Sequence, residues 1–266
     1  MGDKEFPVRI LIAIPVHNEL KYVEHVLQKI RGYHPEILVV DDGSTDGTGE
    51  ILQRLAKRGK IQLVRHPVNR GYGQSIIDAF RFTDAHGYDW IITMDCDEQH
   101  EPEMIPAFID EIRSDRWDLI SGSRYLHPRQ DDDLPPGDRR KINGIITDKL
   151  NEMLHLGLTD AFCGFKAHRV SAMQQLRLDE PGYAFPLQFW PQVAKAHLRV
   201  AEIPVRLIYN DPGRHFGGLL DDADIRLQHY LEVLKAEMDR PAPMRVEDAA
   251  EAAAIEPAGC CGRVCQ

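Results

Sequence analysis

Asp95 and Asp97 flank a single cysteine in the stretch Met94-Asp95-Cys96-Asp97-Glu98-Gln99-His100-Glu101-Pro102, directly after the apolar run Trp90-Ile91-Ile92-Thr93. Two carboxylates one residue apart, where a buried strand runs out into a loop, are hard oxygen donors that suit Mg²⁺ or Mn²⁺. Gln99 offers a third oxygen, so Asp95, Asp97 and Gln99 are the candidate metal ligands. An ion held there would neutralise a diphosphate and ease the departure of a nucleotide. The competing reading is a solvated acidic turn. Structural zinc is disfavoured, because Cys96 is the one thiol nearby.

Asp41-Asp42 closes another apolar run. Acidic side chains at that place either hydrogen-bond a ribose or base or fold back as an Asx turn. The second acidic strand end at Asp95 and Asp97 favours the ligand. Pro15-Val16-His17-Asn18-Glu19 is polar where a helix must start, and Asn18 would suit a helix cap. Arg124 and Arg139-Arg140-Lys141 are clustered cations in an acidic chain. Arginine forks fit phosphate oxygens; alternatively these charges balance Asp131 to Asp133 at the surface. Asn69-Arg70-Gly71-Tyr72-Gly73 lacks the dinucleotide fingerprint spacing and follows the third strand, and no Walker sequence exists.

These residues need elements to hold them. Val8 to Pro15 is a continuous apolar run, as in a strand buried on both faces of a parallel sheet. A helical stripe follows through Tyr22, Val23, Val26, Leu27 and Ile30. Strands at Ile37–Val40, Ile61–Val64 and Tyr88–Met94 alternate with helices through Ile51, Leu52 and Leu55 and through Ile76, Ile77 and Phe80. Thr45 or Asp46 could cap the first of those helices. Four strand–helix units within the first 100 residues predict an α/β fold, a doubly wound, mostly parallel sheet with helices on both faces. A helix from Pro102 to about Ser114 and a strand around Leu119-Ile120 add a fifth unit.

Residues 127–137 have no apolar period and contain Pro135-Pro136, which predicts a mobile surface loop of the kind that often serves as a lid. A helix from Arg139 to about Leu156, a short strand or turn at Phe162–Phe165, and helices near Val170–Leu176 and Leu187–His197 come next. Leu198 to Tyr209 reads as a strand pair or one bent strand, and Leu220 to Met238 as a helix. Residues 1–240 form the expected single domain. Residues 241–266, rich in Pro, Ala and Glu and ending with Cys260, Cys261 and Cys265, are expected to be a disordered tail of free thiols.

The 266 residues carry 32 Lys and Arg against 42 Asp and Glu, a net charge of −10, which argues against a broad nucleic-acid footprint. No apolar run reaches the roughly 20 residues of a membrane span. The first residues lack a signal peptide's features, and five cysteines do not make a disulfide framework. A cytoplasmic protein is the expectation.

Taken in order, Val39-Val40-Asp41-Asp42-Gly43-Ser44-Thr45-Asp46-Gly47-Thr48, the stretch from Met94 to Pro102, Ser121-Gly122-Ser123-Arg124-Tyr125 and Asp160-x-x-Cys163-Gly164-Phe165-Lys166 resemble glycosyltransferase family 2 over roughly residues 8–210. The closest likeness is to dolichyl- and polyprenyl-phosphate mannose synthases and their glucosyl relatives. The resemblance implies a GT-A fold, an inverting reaction, a nucleotide-sugar donor such as GDP-mannose or a UDP-sugar, and Mg²⁺ or Mn²⁺. It assigns nucleotide contacts to Pro15, His17 and Glu19, with His17 in place of the family's tyrosine. Val40 and Asp42 fall on the base and ribose positions, and Asp95, the Cys96 backbone, Asp97 and Gln99 on the metal and diphosphate positions. Arg139-Arg140-Lys141 match a basic run before the acceptor helix, and Asn143 stands where those synthases often have serine. The family's Gly-x-Ser-Lys segment is missing after the Pro204-Val205 strand; Arg214 and His215 take its place.

On this reading Asp97 is catalytic through the metal, Arg214 joins the donor site, and Arg124, Arg139 and Arg140 orient a phosphate acceptor by charge and position. A polyprenyl phosphate would then be reached by peripheral membrane docking or through a membrane partner. A hydroxyl acceptor, soluble or on a protein, would instead need a base, for which Asp160 is the candidate. A nucleotide-sugar-binding protein without catalysis is the remaining alternative, since a nucleotidyltransferase would carry a glycine-rich loop after the first strand.

Overall fold

The computed structural model describes residues 8–209 and 216–241. The apolar runs become β1 (Ile10–Val16), β2 (Ile37–Asp41), β3 (Gln62–Arg65) and β4 (Trp90–Thr93). They are parallel neighbours, β2 pairing with both β1 and β3, and β4 with β1. Alternation along each strand explains why the runs are unbrokenly apolar. Leu11, Ala13, Leu38, Val40 and Ile91 enter one core, while Ile12, Ile14, Ile37, Val39 and Ile92 enter a second on the opposite face. The connecting helices α1 (Val23–Tyr33), α2 (Thr48–Lys57), α3 (Tyr72–Ala85) and α4 (Ile105–Arg113) cover both faces.

The second half departs from simple alternation. β5 (Leu119–Ser123), β6 (Lys166–Arg169) and β7 (Val200–Pro204) complete a seven-stranded sheet in the order β3-β2-β1-β4-β6-β5-β7. β6 runs antiparallel to both β4 and β5, and β5 is parallel to β7. The Phe162–Phe165 turn is followed directly by β6, which no apolar period announces because its sequence is Lys-Ala-His-Arg. Leu198 to Tyr209 yields one strand rather than a pair. The long α5 (Gly137–Leu154), the short α6 (Val170–Met173), α7 (Phe185–Lys195) and α8 (Ala223–Asp239) pack on the first core's side.

Local chemistry at the loop ends differs from two expectations. Asn18 does not cap α1; it adopts φ 56°, its backbone N–H donates to Ser44 Oγ at 3.0 Å, and its side-chain oxygen accepts from the Thr45 N–H at 2.8 Å. Asn18 thus stitches the loop after β1 to the loop after β2. Asp46 accepts from the Thr48 N–H at 3.0 Å with one oxygen and from the Leu20 N–H at 3.1 Å with the other. Residues 127–137 are not free-standing either. The Asp133 N–H donates to the Leu207 carbonyl at 3.0 Å, Asp132 accepts from the Leu207 N–H at 3.2 Å, and Asp133 accepts from the Tyr209 N–H at 2.8 Å. The acidic run fastens its loop to the segment after β7, where Asp131 also pairs with Arg206 at 3.5 Å. The expected tail from 242 onward, with Cys260, Cys261 and Cys265, and the donor residue Arg214 with His215 lie outside the described residues.

Candidate active site

A cleft of about 1100 Å³ opens along the carboxyl ends of β1, β2 and β4, the edge at which open α/β sheets bind ligands. At one end lie Pro15, His17, Glu19, Asp42 and Gly71. The Asp42 carboxylate is already engaged. It accepts from the Arg70 and Gly71 N–H groups, each at 2.8 Å, and from His66 Nδ1 at 2.6 Å. Buried and held by these three bonds, it shapes the loop before α3. His17 Nδ1 donates to the Asp42 carbonyl at 2.8 Å, and Asn18 Nδ2 donates to His17 Nε2 at 3.1 Å, which sets the ring's orientation. Val40 is not part of this surface. Its side chain is fully buried in the core, and its backbone lies between β1 and β3.

Asp95, Cys96, Asp97 and Gln99 line the middle of the cleft. The Cys96 side chain turns into the second core, so only its backbone serves the cleft. One Asp97 oxygen accepts from the Gln99 N–H at 3.1 Å, which rounds the loop, and Glu98 takes φ 61°. His100 Nδ1 accepts from the Asp95 N–H at 2.9 Å. Burial keeps that imidazole neutral by lowering its pKa to about 4. Gly164 allows a close approach: a Cβ there would stand 2.8 Å from Asp95 Oδ2 and 2.9 Å from the Tyr72 hydroxyl. Burial and then the Asp95 charge push the Tyr72 phenol well up, so it stays protonated as a donor. Among the described residues no group of three or more His, Cys, Asp and Glu side chains could hold a metal by itself. Two carboxylates lining the cleft, Asp95 and Asp97, nevertheless fit Mg²⁺ or Mn²⁺, ions that commonly complete their shell with substrate phosphate oxygens and water.

The far end is cationic. Arg124 Nε and Nη2 donate to the two Asp160 oxygens at 2.6 and 2.9 Å, and Asn143 Nδ2 donates to the same carboxylate at 2.9 Å. Burial alone would raise the Asp160 pKa; the Arg124 charge and these hydrogen bonds bring it down to about 2. Asp160 is fully buried and does not line the cleft. The expectation that it act as a base is corrected on that ground: a sequestered, ion-paired carboxylate positions Arg124 and cannot reach a substrate proton. Arg139 lines the cleft with its guanidinium 4.7 Å from the Phe216 ring centre. Arg140 does not line it; it lies 3.6 Å over the Tyr125 ring.

Lys166 on β6, quoted from sequence only as the end of a motif, lines the cleft, as do three residues not singled out: His168 on β6, Trp190 on α7 and Arg226 on α8. The usable signal was the Lys-x-His spacing, which puts both side chains on one face if the segment is a strand.

Residues 11–177 match the family model described as Glycosyl transferase family 2. The chain belongs to this family. It is a glycosyltransferase with the GT-A fold. The undecaprenyl-phosphate mannosyltransferase of Micrococcus luteus is 29% identical over 231 residues, covering 84% of this chain and 94% of that protein. The polyprenol monophosphomannose synthase of Mycolicibacterium smegmatis is 27% identical, covering 77% of this chain and 79% of the other. Among solved structures, glucosyl-3-phosphoglycerate synthase from Mycobacterium tuberculosis, in complex with Mn²⁺, UDP and glucosyl-3-phosphoglycerate, superposes with a TM-score of 0.64. It covers 90% of this chain and 82% of its own at 21% identity, a likeness of fold.

Proposed function

We propose that this glycosyltransferase transfers a sugar, with inversion, from a nucleotide diphospho-sugar to the phosphate of a polyprenyl phosphate. The observation that carries the reading is the cationic end of the cleft, where Arg124 is locked by Asp160 and Asn143 and stands with Arg139. A phosphate acceptor is anionic near neutral pH and needs no general base, only orientation and relief of charge repulsion. A hydroxyl acceptor would need a base at this end, and Asp160 is committed to Arg124. The names of the two lipid-phosphate relatives support the same acceptor class.

The donor's base lies against Pro15, His17 and Asp42, and its diphosphate lies beside Asp95 and Asp97. Those carboxylates, with Gln99, would hold Mg²⁺ or Mn²⁺, which would supply charge neutralisation to the diphosphate; one solved complex of glucosyl-3-phosphoglycerate synthase contains Mn²⁺ together with UDP. His17 is kept in one orientation by Asp42 and Asn18, and Tyr72 presents its hydroxyl at the Asp95 side. Attack from the acceptor end, on the face away from the diphosphate, inverts the anomeric carbon. The acceptor is reached at a membrane surface: Leu134, beside the lining Pro135, is 91% exposed, and Leu219, close to the lining Gly217, is 76% exposed.

The test is to incubate the purified chain with Mn²⁺, GDP-mannose or UDP-glucose, and undecaprenyl phosphate or undecaprenol in detergent. Mass spectrometry is expected to find a hexosyl phospholipid with the phosphate acceptor alone. Equal transfer to the alcohol, or none to the phosphate, would overturn the reading.

A further inference from the structure

Glu202 stands on β7, opposite Ser121 in the pairing with β5, and is partly buried. Three donors converge on its carboxylate. The Thr159 N–H donates to both oxygens, at 3.0 and 2.9 Å, the Thr159 hydroxyl donates at 2.7 Å, and the Asp160 N–H at 3.2 Å. An ionised carboxylate accepts at both oxygens and presents no proton of its own, which a glutamine amide cannot match. Glu202 does not line the cleft. Whatever it does for a substrate, it does through these partners.

The partners lead to Arg124 by two routes. The first is short: Glu202 holds the Asp160 N–H, and the Asp160 carboxylate takes Arg124 Nε and Nη2 at 2.6 and 2.9 Å. The second passes through hydroxyls. Thr159 Oγ1 gives its one proton to Glu202, so toward Ser123 Oγ it accepts, and Ser123 supplies the proton of that short bond. Ser123 Oγ in turn accepts from the Tyr125 N–H at 3.2 Å. One side chain on β7 therefore steadies both the carboxylate that grips Arg124 and the turn that carries it. The grip uses the Nε and Nη2 edge and leaves Nη1 outside it, on a residue that lines the cleft.

We propose that Glu202 is a positioning residue for the acceptor, setting the place and angle at which Arg124 meets the acceptor's phosphate. This rests on the phosphate-acceptor reading above and adds the group that supports its arginine. A guanidinium binds phosphate by directed hydrogen bonds from a planar fork, so orientation matters as well as charge. Displacement of a positioning group by about 1 Å can cost on the order of a hundredfold in rate. Neither route touches Asp42, Asp95 or Asp97, so the donor end should not feel the loss of Glu202.

The test compares wild type, E202Q and T159V in transfer to undecaprenyl phosphate, with Mn²⁺ and a saturating sugar nucleotide, below the melting temperature of each. Calorimetry with UDP and GDP in Mn²⁺ runs alongside. E202Q should raise the acceptor KM roughly tenfold and keep nucleotide affinity within about twofold. T159V cuts only the hydroxyl route and should raise the acceptor KM by less; if E202Q does not fold, T159V is read in its place. An unchanged acceptor KM, a loss confined to kcat, or an equal fall in nucleotide affinity overturns the inference and leaves the phosphate-acceptor reading standing. A wild type that transfers no sugar to undecaprenyl phosphate overturns both.

Discussion

Asp97 and Asp160 carry the same side chain into opposite circumstances. Asp97 lines the cleft, with one oxygen rounding its own loop. D97N should lower UDP or GDP affinity at least about tenfold when Mn²⁺ is present and leave the metal-free affinity unchanged, since a carboxamide is a weak ligand for a hard cation; calorimetry with and without Mn²⁺ reads this. Asp160 is sealed against Arg124, so D160N should cost about 3 kcal/mol of stability by stranding a partly buried guanidinium. Its melting curve should shift down, and any residual activity should show a raised acceptor KM. His168 gives the pH prediction. Its folded pKa lies well below the ordinary 6.5, so on acidification the unfolded chain takes up a proton that the folded chain refuses. The stability it contributes is complete above pH 6.5 and is lost as pH falls below that value. Denaturant unfolding between pH 7 and 5 should show this slope reduced in H168F. A remainder belongs to His100, shifted the same way.

Loops between elements line the cleft, and their backbones set its shape. Gly71, just before α3, takes φ 100° and ψ 158°, and a Cβ there would meet the Pro181 carbonyl oxygen at 2.3 Å. Its N–H also donates to Asp42. G71A should therefore cost about 1–3 kcal/mol and weaken nucleotide binding together with stability, in thermal shifts with and without UDP or GDP. β6 makes the same point for a strand: running antiparallel between β4 and β5, it delivers Lys166 and His168 to a cleft otherwise built by parallel strand ends.

At the scale of the molecule, the cleft runs from Pro15, His17 and Asp42 to a cationic end near the exposed Leu134 and Leu219. None of the helices among the described residues is long and apolar enough to cross a membrane. A lipid acceptor would then be met at the bilayer surface. The double variant L134S/L219S should reduce co-sedimentation with vesicles containing undecaprenyl phosphate and leave nucleotide affinity unchanged. Co-sedimentation equal to wild type would remove these leucines from the docking surface.

The sequence by itself determined the four parallel strands, because unbroken apolar runs bounded by polar turns have few other ways to be buried on both faces. It also located Asp42, Asp95 and Asp97, since a carboxylate directly after such a run is carried to the sheet's ligand edge. Tertiary structure alone decided what those groups do. Asp160 and Val40 looked like site residues by their place in a motif, but burial turned one into a strut for Arg124 and the other into core. Lys166 and His168 carried no apolar period, since their strand is made by pairing with β4 and β5 and not by its own pattern. Local sequence encodes which backbone runs are buried; which polar side chains face the cleft depends on partners from distant segments, and only the folded chain brings those together.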